Sequence, residues 1–150
     1  MANLLTLTKS QPVRKLAAGE SLLEAGEAGG ELYVLQSGRL SVLREGLEIA
    51  TISEPGSLIG EMSVLTGDDH SASVRAITAV EVRVIENAIA FLESTPLVAL
   101  HVATMVCQRL EATSALLVEI KKEAAGGRGE QGFLERIFGA VTGTGSPASR

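Results

Sequence analysis

The chain has 150 residues, 45% of them hydrophobic, and a formal net charge of -5, which suits one sizeable core and not two full domains. The acidic balance argues against a function built on neutralising many phosphates, so bulk DNA or RNA binding is not expected. Trp is absent and Tyr33, Phe91, Phe133 and Phe138 are the aromatics, too few for a base-stacking platform, while the single cysteine, Cys107, can neither close an internal disulfide nor hold an iron–sulfur cluster alone.

Residues 1–12 form an N-terminal segment with no periodic signal. From there, short runs rich in Val, Ile and Leu (21–24, 32–36, 40–44 and 48–52) lie between glycines, the spacing of an all-β sandwich or barrel. Gly38-Arg39 and Glu45-Gly46 read as hairpin turns. Two more strand-like runs follow at 72–77 and 80–85; in the first, Ala72, Val74 and Ala76 alternate inward against Ser73 and Arg75 outward. Near residue 86 the pattern becomes helical. Asn87 caps a short helix, and Ser94-Thr95-Pro96 places cap residues before a proline at the first helical position. The helix that follows, over about 96–123, is roughly 40 Å long at about 1.5 Å per residue.

One stripe of that helix carries Ala103, Val106, Leu110, Thr113, Leu117 and Ile120, alternating spacings of three and four as a coiled-coil seam does. A second, with Met105, Ala112 and Leu116, is available to face the β-domain. Two stripes predict two partners, and hence a homodimer through the long helix; the alternative is one broad apolar face packed on the sheet. The domain is expected over 13–123. Residues 124–150 read as a Gly-rich tail whose amphipathic segment 133–141, with Phe133, Leu134, Ile137, Phe138 and Val141, is too short for a stable isolated helix and is a candidate docking element for an effector protein. No run approaches the roughly 20 apolar residues of a membrane span, and the N-terminus lacks the features of a signal peptide, so a cytoplasmic protein is expected.

The stretch 59–76, IGEMSVLTGDDHSASVRA, is the most informative. Gly60 removes a side chain at the start of a one- to two-turn helix, where free N–H groups and the positive dipole end favour an anion. Glu61, acceptor-only when ionised, suits a ligand hydroxyl; equally, it serves as an acid stabilising the first helical turn. Ser71 and Ala72 read as a turn into a strand that needs no ligand, though small residues also suit close approach of one.

Residues 13–120 resemble the cyclic nucleotide-binding domain family, which includes the catabolite activator protein, the protein kinase A regulatory subunits and cyclic-nucleotide-gated channels. The markers are AGE at 18–20, EAGE at 24–27, ELYVLQSG at 31–38, PGSLIGEMSVLTG at 55–67 and SASVRA at 71–76. The resemblance implies a mainly β fold with α: a β-roll, a jelly-roll-like antiparallel barrel, followed by a short helix and a long C-terminal helix. It implies that Gly60, Glu61 and Met62 begin the phosphate-binding segment, that Glu61 binds the ribose 2′-OH, and that Ser71 and Ala72 offer a hydroxyl and N–H groups to the cyclic phosphate. At Asp69-His70 the family usually has Pro-Arg, so His70 stands in place of the phosphate-pairing arginine, with Asp68 and Asp69 adding negative charge beside it. On the long helix, Leu110-Glu111-Ala112-Thr113-Ser114 is similar to the catabolite activator helix in which a Thr-Ser pair reads the adenine edge, here Thr113 and Ser114; the plain alternative is a hydroxyl bonded back to its own preceding turn.

The expected function is a stand-alone sensor of a cyclic nucleotide, cAMP or cGMP with cAMP first, in which the ligand shifts the long helix and the dimer or partner contacts. No DNA-reading helix-turn-helix follows the long helix in this sequence, so DNA is not an expected partner. The alternative is a degenerate fold that no longer binds nucleotide and serves as a protein-interaction scaffold. An enzyme is not expected: a metal-dependent β-barrel needs clustered histidines and carboxylates, and the chain has only His70 and His101, so no metal site is predicted.

Overall fold

A computed structural model of the chain describes residues 3–125; segment 133–141 and the rest of the tail lie outside them. Helix α1 (Leu4–Leu7) starts at Asn3, whose side chain accepts from the Leu5 N–H at 3.1 Å. Strands β1 (Val13–Leu16), β2 (Ser21–Leu23), β3 (Leu32–Ser37), β4 (Leu40–Arg44), β5 (Leu47–Ile52) and β6 (Leu58–Ile59) lead to helix α2 (Glu61–Thr66). Strands β7 (Ser73–Ala76) and β8 (Val80–Ile85) and helices α3 (Ala88–Ser94) and α4 (Pro96–Ala124) complete the order. This is the expected β-roll followed by a short and a long helix.

The strands form two antiparallel four-stranded sheets, β1-β8-β3-β6 and β2-β7-β4-β5. Their inner faces share one core: Leu16, Tyr33, Leu35, Ile59, Val80, Val82 and Val84 from the first sheet, and Leu22, Leu23, Leu40, Val74 and Ala76 from the second. Alternation selects these residues, since in β8 every second side chain is a buried valine while Glu81 and Arg83 between them are half-buried. In β3 the whole run from Leu32 to Leu35 is buried; Tyr33 and Leu35 face the core, and α1 and α2 pack against the same strand. The predicted inward face of β7 holds at Val74 and Ala76, with Arg75 exposed.

The two predicted hairpin turns differ. Arg44 pairs with Leu47, so Glu45-Gly46 is a two-residue hairpin loop with φ of 53° and 78°, the doubly left-handed turn that matches strand twist. Gly38-Arg39 is not a hairpin turn: β3 and β4 belong to different sheets, and the turn carries the chain across the core. It is held by the loop after β7, where the Ile77 N–H donates to the Arg39 carbonyl at 2.8 Å and the Arg39 N–H to Thr78 Oγ1 at 3.1 Å.

The chain divides into two compact units, one ending at Val102 and one starting at Ala103, a boundary that falls inside α4. In the first unit, Asn87 Oδ1 accepts from the Ala90 N–H at 3.4 Å to cap α3, and Val98 and Val102 bury the opening turns of α4. In the second unit, Val106 and Leu117 are half-buried, while Leu110, Leu116, Val118 and Ile120 are exposed. Met105 is half-buried and Ala112 exposed, so most of both predicted stripes lies open along this helix. Lys121 and Lys122 in its last turn complement the negative end of the helix dipole. Among the described residues no single helix is long and apolar enough to cross a membrane.

Candidate functional site

The segment from β6 to β7 begins with a forced turn. Gly60 has φ 88° and ψ 4°, a left-handed conformation, and a Cβ there would lie 2.9 Å from the Glu31 carbonyl oxygen. The missing side chain therefore makes room for the start of β3, a reason internal to the protein that the sequence reading, which reserved the space for a ligand, did not include.

After this turn α2 places Glu61, Ser63 and Val64 on a buried side and Met62 and Leu65 on an exposed one, at 61% and 53% exposure. Gly67, also left-handed, ends the helix, and its N–H donates to the Ser63 carbonyl at 2.9 Å. Asp68 and Asp69 point to water. His70 turns inward and is 9% exposed. Its backbone is clamped to the β2–β3 connection: the His70 N–H donates to the Glu27 carbonyl at 2.9 Å, and its own carbonyl accepts from the Gly26 N–H at 2.8 Å. Its ring Nδ1 lies 2.8 Å from Ser63 Oγ. Ser71 is exposed and Ala72 half-buried at the entry to β7.

His70 lines a cavity of about 490 Å³ together with Arg14, Glu24, Glu27, Glu31 and Tyr33, and with apolar walls from β2. Among the sequence-derived candidates it is the one on this lining; Gly60, Glu61, Met62, Ser71 and Ala72 lie along the adjoining segment. Thr113 and Ser114 belong to the second unit, where the Thr113 hydroxyl donates to the Arg109 carbonyl at 2.9 Å, the back-bonded arrangement named above as the plain alternative.

Two groups on the lining have altered acidity. The Ser21 hydroxyl beside Glu24 holds its carboxyl below the usual range; Ser73, which donates to Oε2 at 3.3 Å, and the Arg75 charge act in the same sense, against a smaller opposing effect of burial. Burial pushes the Tyr33 phenol well above its ordinary value, and the Glu31 carboxylate, which accepts its hydrogen bond, pushes the same way, with Arg14 opposing. The lining thus sets three glutamates, Glu24, Glu27 and Glu31, against one arginine, Arg14. No group of three or more His, Cys, Asp or Glu side chains that could hold a metal occurs among the described residues.

Sequence reasoning missed Ser63, Arg14 and the three lining glutamates. The EAGE and ELYVLQSG stretches were visible as motifs, but nothing in them tells that the β2–β3 connection folds over His70. Ser63, seven residues before His70, looks like any small helical residue until the loop closes.

The profile of the cyclic nucleotide-binding domain family matches residues 13–93. The chain is 30% identical over 125 residues to the Cyclic AMP receptor protein of Thermus thermophilus, covering 79% of this chain and 58% of that protein. It is 33% identical over 72 residues to the cGMP-dependent protein kinase egl-4 of Caenorhabditis elegans, covering 48% of this chain and 9% of the kinase. Among solved structures, the Thermus thermophilus Catabolite Activator Protein superimposes with a TM-score of 0.67 at 31% identity, over 81% of this chain and 61% of that one. The N-terminal domain of a transcriptional regulator from Streptomyces coelicolor gives a TM-score of 0.55 at 29% identity, over 73% and 81%. The chain spans less than two thirds of the length of either curated relative. With the profile covering more than half of its residues and the β-roll with its long helix shared with these structures, the chain belongs to the cyclic nucleotide-binding domain family.

Proposed function

We propose that this domain is a cyclic nucleotide sensor with cAMP as its first ligand, and that the segment from Gly60 to Ala72 holds the cyclic phosphate and ribose. In this reading Glu61 accepts from the ribose hydroxyl, and the N–H groups around Met62, with Ser71 and Ala72, meet the phosphate. In this reading His70 stands where the family resemblance leads one to expect a phosphate-pairing arginine. The observation that supports the reading is that Glu61 and His70, at 7% and 9% exposure, both turn inward at the two ends of one short segment, which puts a carboxylate acceptor and an imidazole on the same inner side of the stretch that carries the family resemblance. The similarity to the Thermus cyclic AMP receptor protein favours cAMP, and that to the egl-4 cGMP-dependent kinase keeps cGMP as the second candidate. A regulatory role then follows if bound nucleotide favours one placement of α4 over another, with Thr113 and Ser114 as further candidates for the purine edge.

A second reading, a scaffold that has lost the ligand, has its own support. The His70 ring is already hydrogen-bonded within the fold, and three carboxylates line the cavity beside it. Titration calorimetry with cAMP and cGMP separates the two. Saturable heat with either nucleotide is the expected result, and silence up to millimolar nucleotide assigns the scaffold.

A further inference from the structure

His70 is held more firmly than a surface-loop histidine needs to be. Its backbone is paired in both directions with Gly26 and Glu27, and Ser63 Oγ sits 2.8 Å from Nδ1 with both side chains less than 10% exposed. Gly29 closes the third side. A Cβ on it would lie 2.4 Å from Ser63 Cβ and 3.3 Å from His70 Cε1, so any larger residue there would displace the pair. The ring makes no other hydrogen bond among the described residues, and it lines the cavity, which leaves Nε2 as the ring atom available to a ligand.

A neutral imidazole carries one N–H, and the hydrogen bond at one nitrogen decides which. We propose that Ser63 is a positioning residue for ligand binding: its hydroxyl donates to His70 Nδ1 and thereby fixes the hydrogen on Nε2, the nitrogen left to the cavity. The ring then presents a donor to an anionic oxygen whether it is neutral or protonated. With the opposite tautomer a neutral ring would turn a lone pair toward that oxygen and repel it. Ser63 thus supplies by tautomer part of what a guanidinium supplies by permanent charge. This assignment rests on the reading of His70 as a phosphate-contacting group.

The test combines a spectroscopic readout with a mutant cycle on the full chain. The protein has two histidines, so long-range proton–nitrogen NMR with a His101→Gln control assigns the His70 ring nitrogens. With the ring neutral, wild type is expected to show the Nε2–H tautomer, and Ser63→Ala a shift toward a mixture. Ser63→Ala is expected to weaken cAMP binding about 5-fold in the wild-type background and to leave His70→Arg unchanged. A wild-type Nδ1–H tautomer overturns the proposal, as does an equal loss of affinity in both backgrounds, which is what a merely structural role for Ser63 gives. If no variant binds nucleotide, the proposed function fails, and the tautomer of the free protein still decides for or against Ser63.

Discussion

At position 70 the choice of side chain sets how strongly an anion is held. A guanidinium offers a permanent charge and a planar fork, and one charge-assisted hydrogen bond contributes about 1.5–3 kcal/mol, roughly 10- to 150-fold in affinity. His70→Arg is therefore expected to tighten cyclic nucleotide binding by about 10-fold or more in calorimetry, and unchanged affinity would place the phosphate away from this residue. Tyr33 allows a separate check of the cavity wall. It is the one tyrosine in a chain without tryptophan, so ultraviolet absorbance during alkaline titration reads it alone. Burial first, and the Glu31 carboxylate second, raise its folded-state value, so the phenol is expected to stay neutral past the pH at which free tyrosine, with a pKa of about 10, ionises. In the unfolded chain the phenol ionises earlier. Its contribution to stability is complete below that range and is lost as pH rises through the folded value. Glu31→Gln is expected to lower the midpoint only in part, because burial remains; a wild-type midpoint at the free value would contradict the buried phenol. Of these groups the sequence singled out only His70. Tyr33 sat inside a quoted motif, but its contact with Glu31 depends on how the chain enters β3, which no spacing rule encodes.

Among the elements, those with a strong local signal were read correctly and those without one were not. The strand at 40–44 and the strand at 80–85 agree residue for residue with β4 and β8, because alternation and turn residues bound them on both sides. Helix α4 ends one residue beyond its predicted end. Strand β1, Val-Arg-Lys-Leu, has three exposed residues of four, and β6 is two residues long, so neither offers a pattern to detect; both exist because β8 and β3 present partners to them. The reading of Gly38-Arg39 failed for a related reason: a turn signal reports that the chain reverses, not which sheet it enters next. Gly60 shows that a correctly chosen residue can have an additional cause. An alanine there must adopt the left-handed region, at about 1–2 kcal/mol, and must also push its Cβ away from the Glu31 carbonyl. Gly60→Ala is expected to destabilise the domain by about 2–3 kcal/mol in urea unfolding without any nucleotide present. A stability equal to wild type, with only ligand affinity reduced, would return the glycine to a purely ligand-facing role.

For the whole molecule, glycine spacing was enough to reach a β sandwich or barrel and the cap at Ser94-Thr95-Pro96 a long helix after it, since such signals extend over many residues, while the β-roll itself followed from the family resemblance. A homodimer through the long helix, expected from its seam, would depend instead on a few positions of α4. The seam of Ala103, Val106, Leu110, Thr113, Leu117 and Ile120 follows the three-four spacing with which two helices interlock, and a parallel pair would bury it. Leu110 and Leu116 are nearly equally exposed, at 50% and 56%, but only Leu110 lies on that seam. A glutamate at either position should therefore change the stability of the single chain by a similar, small amount. Their effects on association should differ, because a buried seam leucine contributes about 1.5–3 kcal/mol and an unpaired carboxylate in its place is costly. Sedimentation equilibrium is expected to give a dimer for wild type and for Leu116→Glu, and a monomer for Leu110→Glu. Dissociation by both variants would mean one broad contact face instead of a coiled-coil seam, and a monomeric wild type would remove the dimer from the proposed route by which a nucleotide acts on this helix.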